Sequence, residues 1–146
     1  MRVDQFTPVL APRDAIGGHV LALHRLLTEL GVDSRIHAAR VADELVDVGR
    51  DFRDHEPGAD LLVYHASTGS PVADHVAARP EPLVVDYHNI TPAEFFEPWE
   101  PHIAAELDHG RRQLRRLARR AVLGLGDSAF NVSELVEVGF ERVGVA

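Results

Sequence analysis

At 146 residues the chain is long enough to form one domain that buries its own core without disulfides or a structural metal. It contains no cysteine, which excludes disulfide frameworks, thiol nucleophiles and thiolate metal sites. A formal net charge of −8 argues against nonspecific nucleic-acid binding, which draws its affinity from basic surface; the cations number 15, all arginine.

Arg2 to Phe6 reads as a first strand, weak by pattern because Asp4 and Gln5 interrupt its apolar residues. A proline-containing loop, Thr7 to Ile16, follows. From Gly18 to Leu30 the residues Val20, Leu23, Leu27 and Leu30 keep helical spacing, and Gly31 stands where a C-terminal glycine belongs. Leu21 and Leu26 widen that stripe, so this helix is expected to be well buried. Ser34 to Ala38 gives a second strand, and Val41 to Pro57 lacks a clear period and reads as a loop with a helical turn.

Asp60 to His65 is continuously apolar, as expected of a strand covered on both faces. Ser70 can cap a short helix that Pro71 opens and that ends near Arg79. Leu83 to His88 is a fourth strand. Helical spacing resumes after Pro101 and runs to about Val122, followed by a strand to Gly126, a helix from Ser128 to Val138 and a last strand from Arg142 to Val145. Strands alternating with helices imply an α/β fold, a Rossmann-like parallel sheet with helices on both faces. The chain stops in or just after an apolar strand. The expectation is a single domain, residues 1–146, that belongs to something larger.

Two apolar runs end on histidine, Leu61-Leu62-Val63-Tyr64-His65 and Leu83-Val84-Val85-Asp86-Tyr87-His88, so both imidazoles are expected at strand ends. In an open α/β sheet that edge is where ligands bind. Asp86 is a carboxylate inside an apolar run, tolerable only if hydrogen-bonded or near water, and it could orient a neighbouring group. Gly17-Gly18 at a helix start could bring amide N–H groups close to an anion, or simply form a tight turn. Neither a dinucleotide fingerprint nor a P-loop is present, and without lysine the latter is impossible. His65 and His88 as a metal pair lack a third ligand at diagnostic spacing, so neither metal nor cofactor is expected.

Six arginines fall between Arg111 and Arg120. They form two rows on one helical face and read either as a patch for an anionic substrate or lipid headgroups, or as cations complementing the helix dipole. No basic-then-apolar leader opens the chain and no apolar run approaches the roughly 18 residues a spanning helix needs, so a cytoplasmic protein is expected, with peripheral membrane contact through Arg111–Arg120 as its only membrane option.

Taken in order, Ile16-Gly17-Gly18-His19, Tyr64-His65-Ala66-Ser67, Asp86-Tyr87-His88-Asn89-Ile90-Thr91 and Gly124-Leu125-Gly126-Asp127-Ser128 resemble the layout of the N-terminal domain of GT-B glycosyltransferases of family 4, the retaining group. The resemblance covers essentially the whole chain. It implies an acceptor-binding domain whose partner, a C-terminal domain holding most of the nucleotide-sugar donor, is absent from this chain. By the same resemblance Gly17 and Gly18 approach the donor diphosphate, and His88 contacts the transferred sugar beside its anomeric centre. His65, Asn89, Thr91 and Ser128 line the side of a sugar or lipid acceptor. Metal is usually dispensable in that family, and the acceptor's identity does not carry over because the first loop varies with it. Two other readings stay open: a non-enzymatic α/β binding module, and epimerase chemistry on a nucleotide sugar.

Overall fold

The computed structural model describes residues 1–146. Seven strands, β1 (Arg2–Leu10), β2 (Asp33–Val41), β3 (Gly49–Asp51), β4 (Leu61–Ala66), β5 (Leu83–Tyr87), β6 (Leu123–Gly126) and β7 (Val143–Val145), form one sheet. Its order is β3-β2-β1-β4-β5-β6-β7 and every pairing is parallel. The connecting helices are α1 (Ala15–Glu29), α2 (Pro71–Ala77), α3 (Pro101–Ala118) and α4 (Ala129–Val138). This is the α/β, Rossmann-like architecture expected from the alternation of elements, with the strand order reversing direction between β1 and β4.

The two faces are unequal. α2, α3 and α4 pack side by side on one face over a cluster of 18 buried residues that includes Phe6, Tyr64, Tyr87, Leu114 and Leu117. Each leucine so buried contributes roughly 1.5–3 kcal/mol. The loop from β4 to α2 presses directly onto α3: a Cβ on Gly69 would stand 2.5 Å from the Glu106 carbonyl oxygen, and one on Gly110 would stand 2.6 Å from the Gly69 nitrogen. α1 alone covers the other face, over β1 and β2.

Four sequence expectations are corrected. The helix expected to be well buried is half-exposed, with Leu26 at 52% and Leu30 at 71% exposure, because no neighbouring helix flanks it. The first strand runs on to Leu10: its register with β2 passes from Thr7 to Val9 without using Pro8, which has no N–H to give. The segment from Val41 to Pro57 is more than a loop, holding the edge strand β3 and two short 3-10 turns, Asp43–Leu45 and Phe52–Asp54. Finally, the helix expected to begin at Gly18 begins at Ala15, capped by Asp14, whose carboxylate accepts from the Gly17 N–H at 2.8 Å.

Candidate functional site

His65 is the last residue but one of β4 and Asp86 lies in β5, and the two are register partners on the sheet face that α1 covers. His88 follows β5 directly. From above, α1 brings in His19, one turn beyond its capped start. Three imidazoles thereby surround one carboxylate oxygen: Asp86 Oδ2 lies 2.9 Å from His19 Nε2, 3.2 Å from His65 Nδ1 and 3.3 Å from His88 Nε2. His65 Nδ1 and His88 Nε2 are also 3.2 Å apart. The four potential ligand atoms all lie within 4.8 Å of one another, so this is the group that could hold a metal.

Two of the imidazoles are fixed from behind. His65 Nε2 donates to Gln5 Oε1 at 3.0 Å from β1. His88 Nδ1 faces Asp127 Oδ2 at 3.8 Å, and Asp127 in turn accepts from the Asn131 side chain at the start of α4. Burial would raise the Asp86 carboxyl, but the imidazoles of His65 and His88 beside it outweigh that and hold the group well below the usual carboxylate range. Burial pushes His65 down despite Asp86. In His88 burial also works downward, yet Asp86 and Asp127 overcome it and the imidazole is raised, favouring its cationic form.

Beside this cluster opens a cleft of about 490 Å³ lined by Asp14, Ala15, Ile16, His19, Asp86, His88, Asp127 and Ala146. A second cleft of about 330 Å³ shares Asp14 and Ile16 with it and is lined further by Thr7, Ser67 and Thr68. The two adjoin at Asp14 and Ile16 along the carboxyl edge of the sheet, the second lying where strand order reverses between β1 and β4.

The expected site residues fare unequally. His88 lines the cleft as expected. His65 has no exposed surface and cannot line an acceptor; it backs Asp86 and His88 instead. The expectation that Gly17 and Gly18 offer free amides to a diphosphate is corrected. Gly17 N–H goes to the Asp14 carboxylate and Gly18 N–H to the Asp14 carbonyl, and Gly18 lines a separate cleft with Leu21, His24 and Arg25. The amides of α1 that take no partner within the chain belong to Ala15 and Ile16, and both residues line the main cleft. Gly17 has a packing role, since a Cβ there would stand 2.3 Å from the Ala11 carbonyl oxygen.

Ser128 is occupied as the cap of α4, accepting from Asn131 N–H at 3.1 Å. Asn89 takes a left-handed conformation, φ 68°, and with Thr91 is exposed on the loop after β5. That loop is held from below. Tyr87 OH accepts from Ile90 N–H at 3.1 Å and donates to Glu134 at 2.8 Å, while Arg111 donates to the Ile90 carbonyl and to Glu134. The arginine helix is mostly consumed in this way: Arg112 pairs with Asp108, Arg116 with Asp74, and Arg120 caps the Arg79 and Glu81 carbonyls. Arg115 and Arg119 alone of the six are exposed without such a partner. No helix is long and apolar enough to cross a membrane.

Residues the sequence reading did not place in the site are His19, Gln5, Asp127 and, as more than an orienting group, Asp86. Gln5, His65 and Asp86 did carry a signal, being polar side chains on one face of otherwise apolar strands. A second group of histidines lies at the other face. His55 Nε2 meets Asp4 Oδ2 at 3.0 Å, His75 adjoins His55 at 3.5 Å, and His37 stacks on Phe6 with ring centroids 5.0 Å apart. There the Arg2 guanidinium grips both Asp4 oxygens, at 2.6 and 3.1 Å.

No protein-family model matches the chain, and no curated protein matches it.

Proposed function

We propose that the chain is the acceptor-side half of a retaining glycosyltransferase that draws its sugar from a nucleotide-diphosphate donor, a second lobe supplying most of the donor contacts. The observation that carries this reading is the cleft between the start of α1 and the carboxyl ends of β5 and β6, beside the strand-order reversal, with a raised, cation-favouring His88 on its wall. Departure of a diphosphate builds negative charge on the leaving oxygen, and donors aimed at that charge lower the barrier. His88 is such a donor. The free amides of Ala15 and Ile16, at the positive end of α1, are others within the same cleft. The carboxylates of Asp86 and Asp127 suit sugar hydroxyls, which donate hydrogen bonds. Ser67 and Thr68 give the adjoining cleft hydroxyl partners for an acceptor. Compared with the sequence expectation, the phosphate contact moves from Gly17 and Gly18 to Ala15 and Ile16, and His65 becomes a support for His88.

Sugar transfer by the full-length polypeptide that carries this chain tests the proposal, with uridine, guanosine and adenosine diphosphate sugars as donors and mass-spectrometric detection of product. The expected product keeps the donor's anomeric configuration. His88→Ala should lower kcat/KM by at least about 100-fold, the scale of losing one preorganised donor. Interconversion of the nucleotide sugar with no acceptor present would replace this reading with epimerase chemistry, and binding without turnover would replace it with a binding module.

A further inference from the structure

We propose that His19, His65, Asp86 and His88 bind one divalent cation of the zinc class at the carboxyl edge of the sheet. The inference does not rest on sugar transfer, although with the ion bound His88 is a neutral ligand and the positive charge on the cleft wall belongs to the ion. It rests on where lone pairs point, whatever chemistry the cleft performs.

The ligand atoms are spaced for a tetrahedral ion. A tetrahedral site with bonds of about 2.0–2.1 Å has ligand-to-ligand edges of about 3.3 Å. Four edges of this cluster already stand at 2.9, 3.2, 3.2 and 3.3 Å, and the remaining ones are no longer than 4.8 Å. The ligand that must close up is His19, whose side chain is 46% exposed at the mouth of the cleft and free to turn.

Acceptors behind the imidazoles turn their lone pairs inward. Gln5 Oε1 only accepts, so the nitrogen of His65 facing it carries the hydrogen and the opposite nitrogen turns a lone pair toward Asp86 and His88. Asp127 offers the same kind of acceptor to the outer nitrogen of His88. Carboxylate or carbonyl partners behind ligating imidazoles are the usual outer layer of a metal site, where they fix the tautomer and orient the ring. Inward-facing lone pairs around a carboxylate oxygen repel one another unless a proton or a cation lies between them.

The charge around Asp86 also suits a cation. Both histidine groups are built around a buried aspartate, yet they are completed differently. Asp4 has Arg2 as a permanent counter-cation. Asp86 has only imidazoles, with no arginine in contact, so its counter-charge is either a proton held on His88 or a bound cation. A buried carboxylate requires a positive partner, and nitrogen donors beside one carboxylate oxygen suit zinc better than magnesium or calcium, which prefer all-oxygen shells. A cation held here would face the 490 Å³ cleft on the His19 side. A hydroxyl or phosphate oxygen in the cleft could then become an additional ligand.

The experiment is titration of the chelator-stripped 146-residue chain with cobalt(II) and zinc(II), followed by visible absorption, calorimetry and thermal melting. One equivalent of cobalt should produce the intense visible bands of tetrahedral coordination, zinc should displace it with micromolar or tighter affinity, and the melting midpoint should rise. His88→Gln and Asp86→Asn should each weaken binding at least 100-fold, and Gln5→Leu 10- to 100-fold through the outer layer. His75→Ala, in the other histidine group, should leave affinity unchanged. Should the Asp86 variant fail to fold, His19→Ala at the exposed position must still weaken binding at least 10-fold. The proposal is overturned if the stripped chain binds neither ion tighter than millimolar, if cobalt gives only the pale octahedral spectrum, or if His19→Ala and His88→Gln bind as the parent does. The first outcome would leave a shared proton as the group between these side chains.

Discussion

Acid should destabilise this fold through His37, and the size of the effect follows from its surroundings. His37 is 2% exposed, both of its ring nitrogens lack hydrogen-bond partners, and burial pushes its pKa from 6.5 down to about 4 against the pull of Asp4. Between those two values the unfolded chain binds a proton that the folded chain refuses, so stability is intact above pH 6.5 and falls as pH drops toward 4. At pH 5 the difference amounts to about 2 kcal/mol. With an unfolding entropy of roughly 2.1 cal/mol/K per residue, that is a melting midpoint lower by about 6 °C. His55 and His75 are lowered by burial too and act in the same direction. The variant that isolates the effect is His37→Phe, which keeps the stack on Phe6 and sacrifices no hydrogen bond. Urea melts of parent and variant at pH 7.5 and pH 5, with chelator present, should show the variant losing about 2 kcal/mol less on acidification. Equal losses in the two proteins would refute the reasoning, because His37 would then be hydrated or protonated in the fold.

Gly17→Ala and Gly18→Ala should separate by sign in thermal melts. The first drives a Cβ to 2.3 Å from a backbone oxygen and should cost at least about 2 kcal/mol, whereas the second enters open space on an exposed helix and should gain about 0.5–1 kcal/mol. Equal effects would contradict the packing role given to Gly17. Arg111→Met should cost about 1–3 kcal/mol by leaving the Ile90 carbonyl and Glu134 short of a donor. Hydrogen exchange at Ile90 should quicken more than exchange in β1, and uniform acceleration would mean that the loop after β5 has no separate support. Tyr87→Phe removes one partner from Ile90 N–H and one from Glu134 and should cost about 1–2 kcal/mol, with a similar local rise in exchange.

The fold was legible because its signals are local. Apolar runs interrupted by Ser70-Pro71, by Pro80 and Pro82 and by Ser128 mark strand and helix limits within a few residues of where they fall. The strand-end placement of His65 and His88 came from the same runs. β3 escaped detection because three residues at a sheet edge, Gly49–Asp51, carry no period. The start of α1 was misplaced although its signal was present: Asp14 stands three residues ahead of the Gly17 amide it caps, and N-cap chemistry outweighs the breaking tendency of two glycines.

The site was legible only in part, for a different reason. His19 and Asp86 are 67 positions apart, and their contact depends on how α1 is laid over the sheet. Asp127 reaches His88 because β6 pairs beside β5, a neighbour relation that no spacing along the chain encodes. What the sequence did offer was the oddity of Gln5 and Asp86 among apolar neighbours. Burial at 0% and 4% exposure turns that oddity into a requirement for partners, and the partners are one another's histidines.

The central claim is that a sugar-bearing ligand occupies the crevice between α1 and the ends of β4, β5 and β6. Its most direct test is an amide NMR titration of the isotope-labelled chain with nucleotide-diphosphate sugars and with the corresponding free sugars. Saturable shifts are expected at Asp14 to His19, Ser67, Thr68, His88 to Thr91 and Asp127. Shifts confined instead to the edge cleft of about 430 Å³ lined by His24, Arg35, Asp47 and Arg50, or no shift with any sugar, would contradict it.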